Sequence, residues 1–446
     1  MSDRNNSKSL IILAGISTGL YLLVATAGDL RNRQLFYLAV FAALSVCMLA
    51  GYRLLSRSSR KWTWVVLAAA LLFRIVAAAG GPAMSDDIYR YVWDGRVQAA
   101  GHHPYSYPPD GEELESLRDE DWGRINHPTI GTIYPPLSQM LFRALATAGA
   151  GVRGFRIALG LLDFGVVLAL LFLLKRTGRP PDRVLLYAWN PLAVMESSGS
   201  GHVEPLGIVL LVLSVAWLAS DRQAPMRSAA ALAGSIHAKL FSAALLPGHL
   251  RRMNLPAVLV LAAVLLALAL PFAISGPVTG EGLYRYAEQW ERNGLIYPAI
   301  RLCGEALDTG NRLKPLVDSL GVERLYRWIW PRELAKVAVL LLAGMWILWL
   351  AFRARLDPVS EAMWVLGGLT LLLPTVHPWY LLWVLPFAAA CCSPGWILLG
   401  GMISLSYWGA GGDVIWPVRI LEYGVPLVLI VPEAFKRLGR SASMEP

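Results

Sequence analysis

Residues 62–96 read Trp62-Thr-Trp-Val-Val-Leu-Ala-Ala-Ala-Leu-Leu-Phe-Arg-Ile-Val-Ala-Ala-Ala-Gly80, then Gly-Pro-Ala-Met, then Ser85-Asp-Asp-Ile-Tyr-Arg-Tyr-Val-Trp-Asp-Gly-Arg96. An apolar block of about 20 residues, enough to cross about 30 Å of hydrocarbon, runs straight into the densest polar stretch of the chain. Such apolar blocks recur throughout the 446 residues, of which 56% are hydrophobic and only 16% charged. An average soluble protein has about 45–50% and about 25%. The pattern excludes a soluble enzyme, a fibrous chain and a disordered one. It predicts an all-α polytopic membrane protein.

The formal net charge of +9 does not indicate nucleic acid, because the basic residues sit in short clusters between apolar blocks. They are Arg53, Arg57, Arg60 and Lys61; Lys175, Arg176, Arg179 and Arg183; Arg222 and Arg227; Arg251 and Arg252; Arg353 and Arg355; and Lys436, Arg437 and Arg440. Clusters at span ends mark the cytoplasmic side. Residues 81–133 carry ten carboxylates against four arginines, which places them outside.

With these anchors, spans are expected at 10–27, 35–54, 62–80, 156–174, 184–197, 205–219, 255–274, 333–352, 359–376, 379–393, 394–410 and 417–434. That gives about twelve crossings, both termini cytoplasmic, in a single unit over 1–446 with outer loops at 81–155 and 275–332. Residues 137–148 are apolar but short, and predict a helix lying on the outer surface. Residues 229–249 have basic flanks at both ends yet length for one crossing, which predicts a re-entrant hairpin aiming Lys239 at a cavity. Arg4, Lys8 and Ala25-Thr26-Ala27 imitate a signal peptide; an uncleaved first span is the preferred reading. No strong internal repeat is visible, which counts against an inverted-repeat transporter. Cys47, Cys391 and Cys392 lie in apolar blocks and Cys303 in an outer loop, so neither a disulfide framework nor a zinc site is expected.

If 87–94 is helical, Asp87, Arg90, Tyr91 and Asp94 share one face. Paired carboxylates at a membrane face suit general-base chemistry. The competing reading is an N-cap by Ser85 or Asp86, which leaves the rest of this costly polar set unexplained. His102, His103 and His127 lack regular metal-ligand spacing and read first as turn residues. Tyr105 and Tyr134 read equally as interfacial aromatics. Glu196, His202 and Glu204 flank a short outer loop, either solvated or forming a second acidic contact. His377, Trp379 and Tyr380 mark an outer span end, where His377 suits an interface or a phosphate contact. Tyr284 to Arg301 (with Arg285, Trp290, Arg292, Asn293 and Tyr297) forms an amphipathic, surface-lying stretch from which Arg301 reaches an anionic head group.

Taken together, Ser85 to Tyr105, Ile133-Tyr-Pro-Pro-Leu137, Asn190-Pro-Leu, Gly201-His202, Ala238-Lys-Leu and Val376-His-Pro-Trp-Tyr380 resemble the GT-C superfamily of membrane glycosyltransferases. The likeness is strongest to the bacterial polyprenyl-phosphate-mannose-dependent mannosyltransferases and covers about residues 60 to 400. It implies a GT-C-like bundle whose large first outer loop carries surface-lying helices, in a bacterial inner (plasma) membrane. It also implies a base within Asp86-Asp87, without fixing which, and an active site on the periplasmic or extracellular face. Where some relatives carry Asn-Asp after Gly-His, this chain has Val203-Glu204, so the role of that second acidic position stays open.

The expected reaction is inverting transfer of one sugar, mannose by resemblance, from polyprenyl phosphate to a glycan or lipid acceptor. Arg90, Tyr91, Asp94, Tyr105, His127, Tyr134, His202, Glu204, Lys239, Arg301, His377 and Tyr380 are the candidate substrate contacts. Lys239, Arg301 and His377, with Tyr380, are expected at the departing phosphate. No cofactor or divalent metal is expected. The partners are the bilayer, the lipid-linked sugar and the acceptor, with no nucleic acid. The alternatives are a lipid-linked sugar flippase, which would hold its charges near the midplane, and a glycan polymerase or ligase using a diphosphate donor.

Overall fold

The computed structural model describes residues 2–55, 63–220, 224–276, 280–408 and 416–442. Of the expected anchors, Arg57, Arg60, Lys61 and Arg222 lie outside the described residues, as does the end of the span expected at 394–410. The described residues are helical without a strand; extended pairing is limited to bridges from Arg292 and Asn293 to Thr375.

The chain opens with α1 (Ser2–Thr26), α2 (Gln34–Leu55) and α3 (Thr63–Ala79). Tyr21 of α1 is buried against Phe73 of α3, ring centroids 5.1 Å apart. The segment expected as the first outer loop holds α4 (Asp87–Ala99) and α5 (Pro136–Thr147), the latter where the short apolar run predicted a surface helix. Gly95 makes their packing possible: a methyl there would stand 2.4 Å from the carbonyl oxygen of Phe142. Their contact belongs to an apolar core separate from that of the bundle, built on Ile88, Tyr91, Trp93, Phe142 and Phe155.

Then come α6 (Val152–Arg176), α7 (Leu185–Ala188), α8 (Pro191–Val194), α9 (Glu204–Ser220), α10 (Pro225–Ala238), α11 (Leu246–Leu250) and α12 (Leu255–Ser275). The segment expected as the second outer loop contributes α13 (Glu281–Gln289), α14 (Ile296–Ala306) and α15 (Thr309–Leu320). The chain closes with α16 (Pro331–Phe352), α17 (Pro358–Leu372), α18 (Leu385–Cys391), α19 (Pro394–Met402) and α20 (Trp416–Ala442).

Among the described residues, five stretches are long and apolar enough to cross a membrane: Lys8–Thr26, Leu30–Leu55, Val152–Arg176, Leu255–Ser275 and Pro331–Phe352. Of the other segments counted as crossings from sequence, 417–434 lies within the 27-residue α20, while the rest fold as shorter or broken helices, and proline explains much of the breakage. It lacks a backbone donor and restricts the residue before it. Pro191 starts α8 after Asn190, whose side chain accepts from Leu192 N at 2.9 Å. Pro378, Pro386 and Pro394 similarly divide residues 378–402.

The expected hairpin at 229–249 takes a definite form. α10 ends at Ala238, Lys239 is extended (φ −159°, ψ 134°), and a 3-10 turn over Leu240–Leu245 leads into α11. His249 Nε2 lies 3.2 Å from Ser214 Oγ, which donates to the Ser228 carbonyl at 2.8 Å. The return leg therefore comes back to the level where α10 began, leaving Lys239 at the tip.

A fully buried charged pair sits within the bundle. Arg74 of α3 places Nε and NH2 2.8 and 2.6 Å from Asp163 Oδ2 of α6. Its NH1 donates to the carbonyls of Ala70 and Ala188, while Tyr187 donates to Asp163 Oδ1 at 2.6 Å. Burying both charges is costly unless each is paired and hydrogen-bonded, and here they are.

Candidate functional site

A cavity of about 1200 Å³ lies where the start of α4, the Lys239 tip, α13 and the segment after α17 meet. Asp86, Asp87, Arg90, His127, Tyr134, Lys239, His377 and Tyr380, all singled out from sequence, line it.

The two aspartates are placed by a seam between the segment after α3 and a π-helical turn, Met195–Ser200. Ala83 N donates to the Gly199 carbonyl at 3.0 Å, and Met84 N to Ser200 Oγ at 3.4 Å. Asp86 makes no capping bond through its side chain; Asp87 N donates instead to Ser85 Oγ at 3.3 Å. Asp87 occupies the first position of α4, where the helix dipole favours negative charge. The two carboxylates have different company. Asp86 Oδ2 is held 2.6 Å from Arg31 NH1. Asp87 Oδ1 accepts from Asn126 Nδ2 at 2.9 Å, and its Oδ2 lies 3.7 Å from His202 Nδ1.

Across the cavity, Lys239 is paired with the buried Glu204 and lies 5.1 Å over the ring of Tyr380. The Tyr380 hydroxyl is hydrogen-bonded to that of Tyr286. Burial pushes Tyr286 up to about 12 and raises Tyr134 well above the ordinary phenol range, so both offer neutral hydroxyls. Trp379 stacks with His377 (4.3 Å, 4° between planes) and with His202 (3.7 Å, 21°). Burial lowers His377 to about 3, despite the opposing pull of Asp87. His377 is therefore neutral near pH 7 and can hydrogen-bond, but contributes no cation.

Other candidates are placed off the cavity wall. Asp94 receives Arg90 Nε at 2.8 Å, Thr132 Oγ1 at 2.5 Å and Gln139 Nε2 at 3.0 Å, fixing the loop that carries Tyr134. Tyr91 packs against both Tyr134 and Phe142, each centroid 4.9 Å away. Tyr105 donates to the Tyr134 carbonyl at 2.8 Å. His202 and Glu204 are fully buried behind the wall. Arg301 lies on α14, 3.5 Å from Glu305.

The arginine that does reach the cavity is Arg292. Its N donates to the Pro374 carbonyl at 3.1 Å, and its carbonyl accepts from Val376 N at 2.7 Å. Among the described residues its guanidinium is paired with no carboxylate, whereas Arg31, Arg90, Lys239 and Lys336 on the same wall each face one. Arg31 and Asn126 were not picked out from sequence. Asn126 sits beside the candidate His127, but Arg31 lies in the short link between the first two helices and gives no local signal.

One flank of the cavity is apolar, built from Val339, Leu340 and Ala343 of α16 and Leu369 and Leu372 of α17. Leu340 is 71% exposed, so this flank opens outward from the bundle. Among the described residues no cluster of three or more His, Cys, Asp or Glu is arranged to hold a metal. The arrangement offers a carboxylate able to accept a proton, an unpaired cation able to meet an anion, aromatic faces, and an apolar slot leading away.

Residues 332–408 match a family model described as "MptB C-terminal domain". A curated protein of Mycolicibacterium smegmatis, named as a probable alpha-(1->6)-mannopyranosyltransferase, is 34% identical over 110 residues, covering 23% of this chain. The match spans about a fifth (20%) of that relative's length. No solved structure matches. Residues 13–269, more than half of the chain, match the model described as "Alpha-(1->6)-mannopyranosyltransferase, N-terminal domain", and the chain belongs to that mannosyltransferase family.

Proposed function

We propose that the protein is an inverting mannosyltransferase of GT-C type, using a polyprenyl-phosphate donor and a glycan or lipid acceptor at the outer face of the membrane. The observation that carries this reading is the union, in one cavity, of Asp87, the unpaired Arg292 and an apolar flank opening outward on α16. The lipid tail lies along Val339, Leu340 and Ala343, leaving the phosphate near Arg292 and the sugar among the aromatic faces of Trp290, Trp379 and Tyr380.

Asp87 is the base, because Asp86 is engaged by Arg31. Asp87 takes the proton of the acceptor hydroxyl while that oxygen bonds to the anomeric carbon. The bond from this carbon to the phosphate oxygen breaks, and its electron pair leaves with the phosphate towards Arg292 and Lys239. In-line displacement inverts the anomeric centre. An α-(1→6) product, the linkage in the family's description, thus requires a β-linked donor. No metal or cofactor is assigned a role, and the whole chain is proposed to act as one catalytic unit.

The test is turnover of purified Asp87→Asn and Asp86→Asn. Asp87→Asn is expected to lose more than about 100-fold, the scale of a general base, while Asp86→Asn keeps turnover within about tenfold. Near-normal turnover by Asp87→Asn refutes the assignment.

A further inference from the structure

Behind Asp87, sealed from the cavity, lies an arrangement that the chemistry above does not use. His202 is fully buried with a carboxylate at each ring nitrogen: Asp87 Oδ2 is 3.7 Å from Nδ1, and Glu196 Oε2 is 3.3 Å from Nε2. Neither ring nitrogen, nor Glu196 Oε2, has a hydrogen-bond partner. Unsatisfied polar atoms at such depth are costly. A ring between two carboxylates is satisfied on both sides only when both nitrogens carry a proton. The other oxygen of Glu196 accepts from Tyr407 at 2.9 Å, and Trp379 covers the imidazole face.

The backbone is built to hold this ring in place. Gly201 adopts φ +84°, and both its N and that of His202 donate to the Glu196 carbonyl. A methyl at Gly201 would stand 2.8 Å from Arg156 Cγ and 2.9 Å from Ile88 Cδ1. Arg156 itself donates to the Ser198 carbonyl at 3.0 Å. The residue carrying His202, the turn carrying Glu196 and the helix carrying Asp87 are thereby locked together.

We propose that Glu196 and His202 are positioning residues for Asp87. Glu196 supports the doubly protonated imidazole, and the imidazole aims the Asp87 carboxylate for proton abstraction. This rests on the reading of Asp87 as the base. The titratable groups facing His202 are Asp87 from α4, Glu196 from the π turn and His377 beyond Trp379. Tyr407 and Tyr37 face it through Glu196, and Arg292 and Lys239 stand further off across the cavity.

The experiment is the pH profile of kcat/KM, with kcat and donor KM, for purified full-length Glu196→Gln and His202→Gln. Each is expected to lower kcat by about 10- to 100-fold with little change in KM. Each should also move the acid limb to higher pH, since Asp87 loses its facing cation. Because the two residues act through one path, the double variant is no worse than His202→Gln. Thermal unfolding in detergent identifies which variants are folded. Should both neutral variants unfold, Glu196→Asp, which draws the carboxylate back from the ring, moves the limb the same way by less. An unmoved acid limb in a folded variant overturns the proposal, whether or not kcat falls. Asp87→Asn separates the two readings: if it stays active, the base assignment fails first; if it is dead while the limb is unmoved, only the positioning role fails.

Discussion

Adjacent, identical side chains acquire different roles here through their neighbours. Asp86 is neutralised by Arg31, 55 residues earlier in the chain, whereas Asp87 faces Asn126 and a buried histidine. The same reasoning separates Arg292, unpaired on the cavity wall, from Arg301, set aside with Glu305. Arg292→Ala is expected to raise donor KM or lower kcat by more than about tenfold, consistent with a charge-assisted contact. Arg301→Ala should stay within about twofold in the same steady-state assay.

His377 gives a pH prediction. Its folded-state value is lowered to about 3 from the ordinary 6.5, chiefly by burial. The unfolded chain thus binds a proton that the folded chain refuses, and stability falls as pH drops from about 6.5 towards 3. Melting temperature in detergent should decline across that window, and less steeply in His377→Gln.

The sequence makes residue types and clusters legible, and Asp86, Asp87, Lys239 and His377 stand out there. Which partner each side chain finds across 39 or 55 residues leaves no periodic trace. Hence Asn126 and Arg31 were not picked out, and Arg301 was preferred to Arg292.

At the scale of elements, the site depends on helices that fail to continue. The Lys239 break and the π turn each turn backbone away from a helical course and put a polar side chain where an unbroken helix would not. The hairpin was readable from the basic flanks of 229–249 and its single-crossing length. The π turn was not, because Met195–Ser200 has no periodicity of its own and is held by Arg156 and by residues 83–84. Residues 379–393 and 394–410 read as two crossings from hydropathy alone, which cannot see how proline shortens the pieces.

The ion pair between α3 and α6 is an element-scale clasp. Arg74→Leu alone leaves Asp163 buried without its cation and is expected to cost about 3–5 kcal/mol. The double change Arg74→Leu with Asp163→Leu should cost clearly less. Denaturant unfolding in detergent measures both, and equal losses would show that the pair is not what joins the helices.

On the scale of the whole molecule, two large apolar cores meet at one cavity, with a third, small one around Tyr297, Ala335 and Val339 on its flank. One large core belongs to the bundle and the other to the segment between α3 and α6. The segment between α3 and α6 supplies the carboxylates, the bundle supplies the Lys239 tip and the apolar flank, and the segment between α12 and α16 closes over them with Tyr286, Trp290 and Arg292. The geography of charge in the sequence already separated the acidic stretch 81–133 from the basic clusters. The folding of the segment between α12 and α16 onto residues 374–376 was not visible, because it rests on backbone bonds of Arg292 and on Thr375 Oγ1 donating to the Trp290 carbonyl.

The most direct test of the central claim is sugar transfer by the purified wild-type protein in liposomes supplied with radiolabelled β-linked polyprenyl-phosphate mannose and a mannose-bearing glycan acceptor. The account predicts a labelled α-(1→6)-mannosylated product formed without any nucleotide sugar. It is contradicted if the label crosses the membrane or stays on the lipid without reaching the acceptor.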